Sequence, residues 1–165
     1  MKDAREVGAV IGNPRSGSRT TQVAREVVRQ LADTLGAVAV EPVELANHGP
    51  ALLDPEAAAV DADRDALAEL DVLVVASPTY KASYTGMLKC FLDRYGTDGL
   101  AEVVAVPVMV GGAPHHALAV EVHLRPLLVE LGASVPSRGL YVLDSQLDQL
   151  SDQVASWLRE GPWAT

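Results

Sequence analysis

Runs of apolar residues alternate with amphipathic stretches along nearly the whole chain. Short aliphatic runs bounded by polar or turn-forming residues are typical of buried strands, whereas apolar positions three and four apart indicate helices. This pattern predicts five strands: Val7–Ile11, Val38–Leu45, Val72–Ala76, Val103–Val110 and Ser137–Leu143. It also predicts five helices: Thr20–Leu35, Arg64–Leu70, Gly86–Tyr95, Leu118–Leu131 and Leu147–Glu160.

The alternation of strands and helices predicts an α/β fold, a parallel sheet covered by helices on both faces. Five strands in the order 2-1-3-4-5 would bring the loops after the first and third strands together. Ligands of such sheets bind beyond the carboxyl ends of the strands, where the strand order reverses.

Three prolines modify this picture. Pro42 places the second strand near an edge, because proline has no N–H for a sheet ladder. Pro107 lies inside the fourth predicted strand, so that strand either tolerates a proline or begins after it. Pro126 predicts a kink in the fourth helix.

Composition narrows the class of protein. The chain has 165 residues, of which 48% are hydrophobic, and we expect one domain over residues 1–165. No apolar run approaches the roughly 20 residues of a membrane span, and the polar N-terminus is unlike a signal peptide. The single cysteine, Cys90, fits a reducing cytoplasm. A net charge of −9 argues against nucleic acid as a partner.

The segment from Ile11 to Gln22 has the composition of a phosphate-binding loop. Glycine, asparagine and proline form a turn, and hydroxyl side chains with Arg15 and Arg19 follow at the start of a helix. A helix N-terminus offers free N–H groups and a positive dipole end. The loop lacks the lysine of the Walker pattern and the glycines of the dinucleotide fingerprint. It therefore suits a terminal monophosphate; an ordinary capped strand–turn–helix connection is the alternative.

The segment after the third strand, from Ser77 to Gly86, suits a flat ring. Pro78 holds the chain extended, so the backbone amides beyond it can face a planar heterocycle, and Tyr80 can pack at its edge. A capped loop whose tyrosines only pack is the alternative.

Together the two loops resemble the NADPH-dependent FMN reductase family. Residues 77–93 match every fixed position of its pattern S-P-x-Y-x-x-S-x-x-G-x-L-K-x-x-L-D. Residues 111–115 and 124–128 also resemble later segments of the family, and residues 79–83 are similar to the short sulfonate-type reductases. The resemblance implies a flavodoxin-like three-layer sandwich with a five-stranded parallel sheet in the order 2-1-3-4-5.

The resemblance also implies a binding site for FMN and NAD(P)H. The residues expected to hold or border the FMN phosphate are Arg15, Ser18, Arg19, Thr20 and Gln22. Those expected to border the isoalloxazine are Pro78, Thr79, Tyr80, Lys81, Ser83, Gly111 and Gly112. No catalytic side chain and no metal are expected, because the flavin carries the chemistry. Family members pair as homodimers or homotetramers, here with Gly86–Arg94 near the contact.

The expected reaction is hydride transfer from NAD(P)H to flavin N5. The electrons then pass to free flavin, a quinone or another small acceptor, with a flavin-dependent monooxygenase as a partner for the reduced flavin. A flavodoxin-type electron carrier is an alternative, although Asn13-Pro14-Arg15 and the few aromatics disfavour it. A flavoenzyme acting on a specialised small molecule in a biosynthetic pathway is another.

Several points stay open at this level. Sulfonate-type members often have Tyr or His two residues before Leu124, linked to a π-type bulge and to flavin used as a substrate. Here Val122 occupies that place, which favours tightly bound FMN. If His123, one residue later, takes the role of that Tyr or His, flavin used as a substrate becomes the expectation again. The choice between NADH and NADPH and the roles of His115 and His116 are also open.

Overall fold

The computed structural model describes residues 4–163. Within this range the strands are β1 (Glu6–Ile11), β2 (Val38–Ala39), β3 (Val43–Glu44), β4 (Val72–Pro78), β5 (Val104–Gly111) and β6 (Leu140–Leu143). The α-helices are α1 (Arg19–Leu35), α2 (Ala58–Ala68), α3 (Gly86–Leu92), α4 (Arg125–Glu130) and α5 (Leu150–Arg159).

All pairings in the sheet are parallel, in the order β2-β1-β4-β5-β6, with β3 also paired to β1. The α/β fold is confirmed, and with β2 and β3 counted together the strand order is the flavodoxin-like 2-1-3-4-5. The prediction of five strands was wrong, because the predicted second strand is two short pieces. Val38 and Val40 donate N–H bonds to β1 and its flank, and the next donor in this alternation would be Pro42, which has no N–H.

Pro107 is tolerated inside β5 for a similar geometrical reason. Val104 donates its N–H towards β4, to the Asp71 carbonyl, and Ala105 donates to Ser134 on the other side. By this alternation Pro107 faces the β6 side, where pairing starts only at Val108 opposite Leu140. The strand therefore runs through the proline, and the alternative of a start after Pro107 is wrong.

The predicted helix over 118–131 changes type along its length. A π-helical turn covers Val120–Leu124, and α4 follows it. Pro126 is thus the second residue of α4, and it directly follows Arg125, whose N–H donates to the Val120 carbonyl of the π turn. The expected kink takes the form of this change from π to α geometry.

Three other elements start at least three residues away from their predicted first residue. α2 begins at Ala58 rather than Arg64, β6 begins at Leu140 rather than Ser137, and a 3₁₀ segment over Asp144–Gln149 precedes α5. Ends of elements are where local pattern is weakest, since a few tertiary contacts decide them.

The core forms one layer on each face of the sheet. α1 and α5, with Trp157, pack on one side, and α2, α3 and the 120–130 segment, with Phe91, pack on the other. No helix within residues 4–163 is long and apolar enough to span a membrane. This packing leaves the carboxyl ends of β1, β4 and β5 together at one edge, with loops free to carry a site.

Candidate functional site

The loop between β1 and α1 is shaped by its own side chains. Buried Asn13 donates from Nδ2 to Thr20 Oγ1 at 3.0 Å, and its Oδ1 accepts from the Arg15 N–H at 2.9 Å. Ser18 caps α1 by accepting the Thr21 N–H at 3.2 Å. The predicted site residues Ser18 and Thr20 therefore use their hydroxyls inside the loop.

Several donors of this loop remain free. In the described part of the chain, the backbone N–H groups of Ser16, Ser18, Arg19 and Thr20 have no acceptor. Most arginines there form ion pairs, whereas exposed Arg15 has no acidic partner. Free N–H groups at the positive end of a 17-residue helix, beside an unpaired guanidinium, are suited to an anion.

Two carboxylates flank these donors. Glu44, the last residue of β3, accepts from the Gly17 N–H at 2.8 Å and from Thr21 Oγ1 at 3.1 Å. Asp144, just after β6, accepts from Arg19 Nη1 at 2.9 Å. Sequence reasoning missed both contacts, because they join residues 27 and 125 positions apart.

The loop after β4 is tied directly to the loop after β1. Thr85 Oγ1 donates to the Gly12 carbonyl at 2.6 Å and caps α3 by accepting the Leu88 N–H at 3.1 Å. A Cβ on Gly12 would lie 2.5 Å from the Cβ of Leu88, so only glycine lets α3 approach this closely. The two predicted loops are therefore neighbours, as the strand order implies.

A tight turn carries the exposed side chains of the second loop. Tyr80 and Ser83 exchange backbone hydrogen bonds of 2.8 and 3.1 Å, and Lys81 and Ala82 between them have φ values of 51° and 63°. These are the dihedrals of a type I′ turn, which glycine and asparagine normally occupy. Tyr80 is 50% exposed and Lys81 is exposed without an ion pair, whereas Pro78 is buried at the end of β4.

Gly111, the last residue of β5, is buried for a reason the sequence did not reveal. A Cβ there would lie 2.1 Å from the Tyr141 hydroxyl oxygen and 3.0 Å from Thr79 Oγ1. The Tyr141 hydroxyl donates to the Ala113 carbonyl at 2.8 Å, and burial raises the pKa of Tyr141. Glycine is thus needed at position 111 because any side chain there would overlap Tyr141. Gly112 is exposed, and a Cβ added to it would meet only the Asp144 carboxylate oxygens, at 3.9 Å.

Thr79 adds a polar group to the same place. Its Oγ1 is buried, and it lies close enough to the Tyr141 hydroxyl to lower the pKa of that group, against the larger effect of burial. The Thr79 hydroxyl therefore belongs to the same crowded polar contact as Tyr141 and Gly111.

Three further candidate residues are two histidines and the single cysteine. His115 and His116 are in ring contact at 4.2 Å on a 3₁₀ turn, and Cys90 on α3 is half-buried against the core. Among residues 4–163, no three His, Cys, Asp or Glu side chains are placed to hold a metal ion.

The acidic residues at the start of α2 are structural. Asp61 pairs with both Arg64 and Arg94, at 2.8 and 2.9 Å, and Asp63 bonds His48 at 2.7 Å. Asp61 thereby joins α2 to the segment after α3.

Comparison with known proteins identifies the family. A model of the NADPH-dependent FMN reductase family matches residues 5–148. The chain belongs to this family. Its members are oxidoreductases that use FMN and a reduced nicotinamide nucleotide.

Individual members of the family are similar over most of the chain. An NADH-dependent FMN reductase of Pseudomonas putida, SfnF, is 34% identical over 148 residues, 87% of this chain and 80% of that protein. An NADPH-using FMN reductase of Escherichia coli is 34% identical over 139 residues, 82% of this chain and 72% of that protein. The apo crystal structure of an NADH:FMN oxidoreductase, EMOB, superposes with a TM-score of 0.81 at 28% identity, covering 95% and 90% of the two chains.

Proposed function

We propose that this FMN reductase binds FMN across the loops after β1, β4 and β5, with the phosphate at the N-terminus of α1. The observation that carries the proposal is the unpaired Arg15 beside the free N–H groups of residues 16 and 18–20. In a chain of net charge −9, an arginine without an acidic partner at a helix N-terminus favours an anionic ligand.

The described residues fit the two ends of FMN differently. The backbone N–H groups of Ser18, Arg19 and Thr20, with the Arg15 guanidinium, would hold the phosphate. The hydroxyls of Ser18 and Thr20 would orient these groups through the cap and the bond to Asn13. Arg19 and Gln22, both exposed on the first turn of α1, would border the phosphate.

The ring would lie against residues 78–83 and the exposed Gly112. Thr79 directly follows β4 and contacts the Tyr141 hydroxyl, and Tyr80 supplies a half-exposed aromatic wall. Bound FMN supplies the chemistry, accepting a hydride from NAD(P)H. The residues of this chain therefore need only hold both rings in register and leave one flavin face open. The exposed ammonium of Lys81 would stabilise negative charge near the ring.

Reduction of bound FMN by a nicotinamide nucleotide distinguishes a reductase from a flavodoxin-type electron carrier. The purified protein is mixed with FMN, and either NADH or NADPH is added without oxygen while flavin absorbance is followed. Bleaching by one or both nucleotides supports the reductase. A bound flavin that neither nucleotide bleaches would instead indicate a carrier, and no flavin binding at all would contradict the assignment. The same titrations give the preferred nucleotide, on which the named relatives differ.

Arg15→Ala tests the placement of the phosphate. We expect the FMN affinity to fall by about 1.5–3 kcal/mol through loss of a charge-assisted hydrogen bond, and the affinity for riboflavin, which has no phosphate, to change little. Arg159→Ala, at another exposed arginine without an ion pair, is the matched control. Equal FMN affinity in Arg15→Ala and wild type would contradict the phosphate assignment.

We further propose that residues 1–165 act as one FMN-binding domain that assembles as a homodimer or homotetramer in the cytoplasm. Leu118, Val122 and Val129, all more than half exposed, lie on the 118–130 segment and support an apolar contact there. Reduced flavin would pass to a small acceptor or to a flavin-dependent monooxygenase. Light scattering measures the assembly directly.

A further inference from the structure

Glu44 places a negative charge among the donors of the proposed phosphate loop. Its Oε2 accepts the Gly17 N–H at 2.8 Å and the Thr21 hydroxyl at 3.1 Å. Gly17 lies between Ser16 and Ser18, whose N–H groups have no acceptor within residues 4–163. The carboxylate thus engages one donor in the middle of a row whose other members are free.

The chain conformation at Gly17 supports this contact. Its φ of 63° lies in the left-handed region, and its N–H points to a side chain on a neighbouring strand rather than into α1. Successive N–H groups around a left-handed residue form a concavity that binds anions. Glu44 is an anion that the protein itself supplies to this concavity.

Charge on the flanks of the loop is balanced. The cations are Arg15 and Arg19, and the carboxylates are Glu44 and Asp144. Arg19 and Asp144 pair on an exposed edge, at 66% and 35% exposure, where solvent screens them. Glu44 is half-buried and bonds to the loop backbone itself, so its effect on a bound phosphate is stronger.

We propose that Glu44 sets the affinity for FMN, by repelling the phosphate and competing with it for the Gly17 N–H. This inference rests on the proposed function, which places the phosphate at the same loop. Because of the Glu44 charge, bound FMN would dissociate and be replaced by free FMN more readily than at a loop without a carboxylate.

Glu44→Gln removes the charge and keeps an oxygen acceptor for Gly17. We expect FMN to bind roughly five- to thirtyfold more tightly, the size of a like-charge repulsion near a partly screened site. Riboflavin affinity should stay within about twofold of wild type, because riboflavin has no phosphate to repel. Fluorescence quenching of each flavin gives both dissociation constants.

Glu41→Gln is the matched control. It removes a carboxylate three residues earlier, which is 75% exposed and pairs with Arg25 away from the Gly17 contact. We expect less than about a twofold change in FMN affinity, since exposed charges are screened over this distance. An equal gain in both variants would indicate a general charge effect and overturn the specific role of Glu44.

Glu44→Ala separates competition from support of the loop. Repulsion predicts that FMN binds more tightly in both Glu44 variants, and competition for the Gly17 N–H predicts a larger gain in Glu44→Ala, which has no acceptor. A purely structural Glu44 predicts weaker FMN binding, most of all in Glu44→Ala. Thermal melting identifies the folded variants to compare. If folded Glu44→Gln binds FMN no more tightly than wild type while Arg15→Ala binds it more weakly, the role of Glu44 is overturned and the phosphate placement stands. If Arg15→Ala has no effect, the phosphate placement itself fails.

Discussion

At the scale of single residues, the site depends on a few contacts that no local pattern reveals. Arg15 and the loop composition were recognisable from the sequence, because arginine and hydroxyls after a glycine turn have a direct chemical meaning. Glu44 and Asp144 were not, because each acts through a partner brought near by the sheet. Gly111 was recognised as significant, but the reason is contact with Tyr141.

Gly111→Ala tests that reason. A Cβ at 2.1 Å from the Tyr141 hydroxyl oxygen must displace the tyrosine or the strand, so we expect unfolding to become easier by about 1–3 kcal/mol. Urea denaturation measures the loss. Adding Tyr141→Phe to Gly111→Ala removes the overlapping oxygen and should recover part of the lost stability. If the two substitutions change the free energy of unfolding additively, the proposed overlap is contradicted.

At the scale of elements, hydrogen-bond alternation explains where the strands break and where they do not. Pro42 falls where a donor to β1 is due, so the edge strand divides, whereas Pro107 falls where β6 has not yet begun. The π turn at Val120–Leu124 ends just before Pro126, which has no N–H to continue the ladder of that turn. Sequence shows the prolines but not which neighbour each N–H would face.

The type I′ turn over Tyr80–Ser83 is an element under strain. Ala82 has a φ of 63°, which costs an L-residue about 1–2 kcal/mol compared with glycine's freedom there. We therefore expect Ala82→Gly to raise the free energy of unfolding by about 0.5–1 kcal/mol, after glycine's extra chain entropy is subtracted. Ala117→Gly, at a φ of −59°, should lower it instead. Chemical denaturation of both variants gives the comparison. If Ala82→Gly is no more stable than the wild type, the proposed backbone strain at Ala82 is contradicted.

At the scale of the whole molecule, stability responds to pH through paired carboxylates. The Arg29 guanidinium, with Gln30 and Ser151, lowers the pKa of Glu26 to about 2. A lowered folded-state pKa stabilises the fold above the ordinary value of 4.5, and this contribution is lost as the pH falls through about 2.

Glu26→Gln should therefore flatten the acid side of the stability curve. We expect the wild type to lose about 1–2 kcal/mol more than the variant between pH 5 and pH 2, a value reduced for the exposure of Arg29. Urea midpoints at several pH values measure the difference. Parallel curves for the two proteins would show that the Glu26 pair has no part in acid unfolding.

The sequence by itself determined the α/β class, the strand order apart from one broken strand, the two principal loops and the family. The class and the two loops follow from local periodicity and from short motifs, which need no knowledge of distant residues, and the strand order is what the resemblance carried by those motifs implies. Only the tertiary structure decided that Thr85 joins the two loops, that Tyr141 fills the space beside Gly111, and that Glu44 enters the phosphate loop. The physical reason is that these contacts join positions far apart in sequence, and only the packed sheet brings their donors and acceptors together.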